Sequence, residues 1–401
     1  SGNNGLLSDI GFVYKAPTNK GSLVIGAGYS LLQDFNRGNE FTEFNERSSI
    51  TDNFRLEGPQ SIYFNTFATD WGNANQDFVE SIFRIGQTSD DQFLGITQTG
   101  EINQNGYLGE LSVFGAVEFK KNIYIGASLG GIFGRYGYER RFVEQDINNT
   151  YNLDLIDHDF DPQTPGTDVQ ALAFFDERNA DITGFTARLG TLFKLNDQWS
   201  VGASATIPTQ LEVKESFISS AATFFDNGSN IDDDRDGDRI YNINRPSRFS
   251  AGFTASGYGN FEISGAVDYI RHDDLDVETK ADPGKVEQQT NNAYVSSNFV
   301  SVFNYRLGGA YTMSEQLKLR ASYAYLPAKT DIEELDRSML SAGFSLGLNQ
   351  TTFMDLSVQY SEFDDRSVLY NYENFSEQTV REGIEEKIRI VNLFVTFRVL
   401  F

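Results

Sequence analysis

No cysteine occurs among the 401 residues, and methionine, histidine and proline are scarce, with three, two and eight copies. Without thiols there is neither a disulfide framework nor a thiolate metal site, and nothing here opposes export. No apolar run approaches the roughly 18–20 residues a spanning helix needs, which excludes a helical membrane protein. No Met opens the chain. Ser1 begins SGNNGLLSDIGF rather than a basic and apolar leader, so the start reads as processed or trimmed. Cations are also short: Lys+Arg 32 against Asp+Glu 57 gives a net charge of −25. That balance argues against a nucleic-acid partner, because phosphate binding takes clustered basic side chains. The two histidines, His158 in a loop and His272 before Asp273 and Asp274 at a strand end, have no serine or water-activating partner fixed by spacing. An enzyme is not expected.

Aromatics, at 14%, and 36 glycines are abundant, a mixture that favours β structure. Read with period two, the last segment sets Val391, Leu393, Val395, Phe397, Val399 and Phe401 on one face, opposite a mixed one. Leu317, Leu319, Ala321, Tyr323 and Tyr325 oppose Lys318, Arg320, Ser322 and Ala324 in the same way. Ile123, Ile125, Ala127, Leu129 and Phe133 oppose Tyr124, Gly126, Ser128 and Gly130. One face suits lipid, and the small or polar face suits a watery or ligand-holding lumen better than a dry core. The pattern predicts strands near 6–15, 20–33, 109–120, 122–138, 182–195, 198–213, 245–257, 260–272, 298–313, 316–327, 336–348, 351–363 and 387–401. Short turns alternate with long connections between them. The fold expected is all-β: a transmembrane antiparallel up-and-down β-barrel, one domain over 1–401. Single-chain bacterial barrels have an even strand number, so thirteen visible strands imply a fourteenth before residue 1.

Charge orients the barrel. Residues 34–108, 141–181 and 215–242 together carry −21 of the −25. These acidic stretches are expected to be the long extracellular loops and the short turns to be periplasmic, in the outer membrane of a Gram-negative cell. The stretch 34–108 is too long for a simple loop and has helix-like apolar spacing in DFVESIFRIG. It is expected to fold as a cap, either a lid over the lumen or a docking surface for a protein partner.

Several phrases, in this order, resemble the FadL/TodX family of outer-membrane transporters for long-chain fatty acids and other hydrophobic compounds, in the form common among Bacteroidetes. They are GSLVIGAGYSLLQDFN at 21–36, ERSSITDNF at 46–54 and GELSVFGAVEFKKNIYIGASLGGIFGRYGYER at 109–140. ATIPTQLEV at 205–213, NRPSRFSAGF at 244–253 and FNYRLGGAYTMSEQLKLRASYAYLPA at 303–328 complete them. The resemblance implies a fourteen-strand barrel in outer-membrane lipid with an N-terminal hatch, neither the hatch nor the first strand being in this sequence. It also implies passive, ligand-gated uptake of molecules such as long-chain fatty acids or aromatic hydrocarbons, captured in a groove between 141–181 and 215–242. Candidate ligand contacts there are Phe174, Phe175, Phe224 and Phe225, whose bland alternative is packing of the loops or plugging of the mouth. Gly26 and Gly28 would allow the strand kink that opens a lateral gap in the family. A scaffold role in an outer-membrane assembly, for example in protein secretion, is the competing reading.

One further motif stands outside the resemblance. In IDDDRDGDRI, Asp232, Asp234, Asp236 and Asp238 recur at every second position around Gly237, as oxygen ligands do in a calcium loop, although the twelfth-position Glu is replaced by Ile243. Ca2+ is therefore a candidate ligand, against a solvated acidic loop tip. Asp157, Asp159, Asp161 and Asp168 form a looser second cluster.

Overall fold

Period-two alternation becomes one continuous antiparallel sheet in the computed structural model, which describes residues 5–151, 168–207, 209–279, 285–330 and 335–400. The chain enters through β1 (Asp9–Ala16), β2 (Leu23–Asp34) and β3 (Arg37–Asn45). A folded insertion follows, with α1 (Thr51–Phe54), α2 (Ile62–Asn65), β4 (Thr69–Trp71) and β5 (Val79–Ser81). The long strands β6 (Ile96–Lys120), β7 (Ile123–Gln145) and β8 (Val169–Lys194) come next. β9 (Trp199–Ile207) and β10 (Gln210–Phe225) are two parts of one pass along β8, as β11 (Asn230–Asn244) and β12 (Arg248–Tyr258) are of the next. β13 (Phe261–Arg271), β14 (Asp276–Thr279), α3 (Lys285–Asn298), β15 (Ser301–Thr312), β16 (Leu317–Leu326), β17 (Arg337–Gly347), β18 (Thr352–Glu373) and β19 (Thr379–Val399) complete the order.

Among the described residues the main sheet makes thirteen passes, each long pass antiparallel to its sequence neighbour. The sheet curls on itself. One internal cavity is walled by residues from β6, β7, β8, β9, β12, β13, β15, β16, β17 and β18. Near the outer end β3 reaches across to the last hairpin, where Arg37 pairs with Asp365 at 2.7 Å and with Glu386 at 3.0 Å. Lower down, β1 pairs with β2 and β19 with β18, and these are the ends of the ladder among the described residues. Phe401 lies outside them.

The outward face explains where this sheet lives. Ile125 and Leu129 on β7, Phe185, Leu189 and Phe193 on β8, Phe303, Tyr305 and Leu307 on β15, and Val391, Leu393, Val395 and Phe397 on β19 are all exposed. On β7 and β8 the band ends at the exposed pair Arg135–Asp181. It spans about ten residues per strand, the length that crosses a bilayer core. Exposed apolar area of that extent is incompatible with water and right for lipid.

The acidic stretches are not loops throughout. β7 continues to Gln145, β8 begins at Val169, and β10 and β11 meet at a tight turn after Phe225. Above the bilayer the outward positions turn polar, so the alternation fades while the backbone ladder continues. The cap also differs from its expectation. DFVESIFRIG forms β5 and a 3-10 turn at Ile82–Arg84 rather than an α-helix. β2 runs unbroken past Gly26 and Gly28, and its register shifts only between Leu31 and Gln33. At Gly26 a Cβ would meet the Phe114 ring at 2.4 Å, so that glycine seats an inward aromatic.

Candidate functional site

Two structures occupy the barrel axis, a packed plug in the outer half and an open cavity below it. The plug is the insertion 46–95. Ile50, Thr51, Thr66 and Ala68 are completely buried, and Phe54, Ile62, Tyr63, Ile82 and Phe83 nearly so. They pack against Ile102 of β6, Phe142 of β7, Leu172 and Phe174 of β8, Ala221 and Phe225 of β10, and Tyr370 and Tyr372 of β18. The four aromatic candidates divide by strand parity. Phe174 and Phe225 point inward: Phe174 lies 5.1 Å from the Phe54 ring and 6.0 Å from Tyr63, and Phe225 lies 6.4 Å from Phe67. Phe175 points outward, half-buried beneath Arg141, and Phe224 is exposed. The structure therefore does not gather them into one groove.

The aspartate ladder lies in a strand rather than in a loop tip. Asp232, Asp234, Asp236 and Asp238 lie in β11, paired with Ala222, Ser220, Ile218 and Ser216 of β10. Alternate residues of a strand sit about 6.4–6.8 Å apart along one face, spread along a line instead of folded round one point. Among the described residues no group of three metal-ligating side chains converges. Of the second cluster, Asp157, Asp159 and Asp161 lie outside the described residues, as does His158. Beside His272, Asp274 pairs with Arg271 at 2.8 Å and accepts from Ser247, while Asp273 accepts from Ser301, so these carboxylates tie strand ends together.

The plug is fastened by a buried polar cluster that sequence reasoning missed. Glu144 of β7, fully buried, accepts hydrogen bonds from the Ser49 hydroxyl, from the Ile50 N–H at 2.9 Å and from Gln98 Nε2 at 2.8 Å. Gln98 also donates to the Tyr370 hydroxyl at 2.8 Å, which meets Ser48 at 3.0 Å. Burial pushes the Glu144 carboxyl up to about 7, with Asp52 nearby adding to the rise. The sign follows. The docked plug holds a proton on Glu144 that a solvated carboxyl would release near 4.5, so docking is strongest at acidic pH and weakens as pH rises from about 4.5 to 7. The loss is roughly 3 kcal/mol. Hydrogen exchange of residues 46–95, corrected for its intrinsic pH dependence, should show more protection at pH 5 than at pH 8. Glu144→Gln should abolish that difference.

Below the plug lies a cavity of about 1090 Å³. Its walls are mostly small or apolar, including Ala116, Gly126, Gly190, Gly202, Gly252, Ala266 and Phe114, with Arg188 and Arg306 among them. Small inward side chains on neighbouring strands are what leave this volume open. A girdle of arginines adjoins it. Glu110 of β6 lies across β7 at Gly130, where a Cβ would meet its carboxylate at 2.6 Å, and takes a two-pronged pair from Arg188 at 2.6 and 2.6 Å. Asp268, almost fully buried, accepts from Arg248 at 2.7 Å and Ser250 at 2.6 Å, and pairs with Arg306. Arg248 and Arg188 flank Thr206 in the ladder. Arg245 sits within electrostatic reach of Arg188, Arg248 and Glu110, without a side-chain partner among the described residues. Thr186 Oγ1, buried and without a partner among the described residues, faces the irregularity where β9 gives way to β10. Four arginines thus face two carboxylates, inside a protein whose net charge is −25. Ionisable side chains inside a membrane-spanning region are costly and mark ligand or ion pathways. Their signal was present: Arg188, Arg248 and Arg306 all fall on the inward parity of predicted strands.

Comparison with known proteins bears on this arrangement. Residues 163–398 match the family described as "Outer membrane protein transport protein (OMPP1/FadL/TodX)". The chain belongs to this family. It therefore has the fold of the outer-membrane transporters of hydrophobic compounds, is an outer-membrane protein of a Gram-negative cell, and comes from a family of channels rather than enzymes. No curated protein sequence matches it. Among solved structures it is similar to the Pseudomonas putida toluene transporter TodX, with 12% identity, 97% of this chain and 82% of that chain covered, and a TM-score of 0.49. A Pseudomonas aeruginosa FadL homologue has 11% identity, coverage of 94% and 90%, and a TM-score of 0.49. The CymD monoaromatic hydrocarbon channel has 12% identity, coverage of 98% and 86%, and a TM-score of 0.46.

Proposed function

We propose that the chain takes up hydrophobic molecules carrying an anionic head, long-chain fatty acids above all, by passive diffusion through the lumen. The observation that carries this reading is the excess of arginine beside a small-walled cavity of about 1090 Å³. A guanidinium without a partner in a confined site attracts a carboxylate, and the arm of a charge-assisted hydrogen bond is worth about 1.5–3 kcal/mol. The acyl tail then lies along Phe114, the glycines and the alanines. A neutral hydrocarbon has no use for the cation.

Arg245→Gln tests the assignment, because removing an unpaired guanidinium strands no buried carboxylate. Uptake of a long-chain fatty acid by cells dependent on this chain should fall about tenfold, with uptake of a neutral aromatic hydrocarbon unchanged. Unaltered fatty-acid uptake would count against the head-group assignment. Failure of the parent chain to take up either class would favour the scaffold role instead.

A further inference from the structure

The plug hangs from the barrel by a narrow neck. It leaves β3 at Asn45 and rejoins the wall at Ile96, and these two residues face each other at the end of the β3–β6 ladder. Its β4–β5 hairpin is a separate two-stranded sheet, and among the described residues no backbone hydrogen bond ties 46–95 to the wall. Next to the neck, Gly95 has φ +85°, a conformation that disfavours side chains, and the Phe44 ring fills the space a Cβ would take.

Every other hold on the plug is made through side chains. On one flank stand Glu144, Gln98 and Tyr370, and on another Phe174, Phe225 and the Thr223 hydroxyl, which donates to the Thr66 carbonyl. At the exposed rim Asn65 Nδ2 donates to Asp233 at 2.7 Å and Arg235 pairs with Glu57 at 3.1 Å. A core packed to interior density passes no molecule by itself. Entry along the axis from outside must displace the plug, and a body joined at one neck can move without breaking any strand pairing. Interfaces of this kind switch between discrete arrangements rather than deform continuously.

We propose that residues 46–95 form a hinged gate that swings about the Asn45–Ile96 neck to admit ligand to the lumen, with Glu144 and Asp233 as its inner and outer catches. What passes rests on the conduit reading above; the motion does not. The gate lies outside the family match at 163–398.

The 401 residues hold no cysteine, which keeps the test clean within them. Asn65→Cys and Asp233→Cys, joined by mild oxidation, lock the gate at its rim, and Ser204→Cys places a reporter in the cavity wall. In intact cells, an impermeant maleimide added outside should label the reporter at least tenfold more slowly in the oxidised triple variant than after reduction, with fatty-acid uptake falling alongside. Equal labelling in both states, with the bridge verified by gel shift, overturns the gate. Labelling that follows the lock while no fatty acid enters in either state leaves the gate standing and removes the conduit. Where no bridge forms, Glu144→Ala in the Ser204→Cys chain decides. Faster labelling supports the gate, and labelling no faster than in the chain carrying the reporter alone overturns it.

Discussion

Arg84→Met is expected to loosen the plug's own fold while the barrel stays folded. Arg84 is 2% exposed and Asp52 0%, with Nε and Oδ1 2.7 Å apart. The guanidinium also donates to the Arg47 carbonyl at 2.7 Å and lies 4.8 Å from the Phe93 ring centroid. Methionine restores most of the volume and none of the charge, leaving a carboxylate buried without its cation. Breaking such a pair from one side costs about 3–5 kcal/mol, a loss that falls on the internal packing of the insertion, since both partners lie within 46–95. The double variant Arg84→Met/Asp52→Asn removes both charges, and Asn can still accept the Ser49 N–H that Asp52 holds at 3.1 Å. Its plug should be stable to within about 1 kcal/mol of the parent's. Burial already pushes the Asp52 carboxyl up with Arg84 present, and without Arg84 it rises further. The single variant should therefore recover an ordered plug as pH falls and the carboxyl takes up its proton. Hydrogen exchange across 46–95, alongside the heat-induced gel shift of the barrel, checks all three statements. A uniform loss of protection in plug and barrel would contradict them.

The barrel was legible because lipid and lumen impose opposite chemistry on alternate residues. Val391 to Val399 show that rule as plainly in the sequence as on the exposed face of β19. Above the bilayer the contrast disappears. Glu139 to Arg141 of β7 and Asp232 to Asp238 of β11 are polar on both faces, so strands held by an unbroken ladder read as loops. The same degeneracy applies to Asp232–Asp238, since a spacing of two describes both a ligand loop and a strand. Helix periodicity misled for a different reason. Phe83 and its neighbours are buried on several sides by tertiary contacts, so their apolar spacing reflects a small core assembled from short pieces. The arginine girdle was readable in principle, because a charge at inward parity in a membrane strand is unusual. Aromatics in acidic segments are more ambiguous, because strand parity decides each one's fate.

That parity makes Phe174→Ala the other large effect. The ring is 4% exposed, packs edge-on against the stacked Phe54–Tyr63 pair, and lies between Phe142 and Ala221 in the ladder. Its truncation leaves a cavity that the strands cannot collapse to fill, at about 3–5 kcal/mol. Phe175→Ala and Phe224→Ala, one residue away in sequence from Phe174 and Phe225, face outward and should cost the plug no more than about 0.5 kcal/mol. The contrast separates packing from ligand capture. Phe174→Ala should raise exchange across 46–95 and speed entry of an impermeant reagent into the lumen. If Phe175 and Phe224 serve ligand capture, their replacement should lower uptake at low substrate concentration without altering plug exchange. If neither readout moves in the outward pair, the capture role passes to the arginine girdle alone. The inward pair would then keep a purely structural task, holding closed the mouth through which any ligand from outside must come.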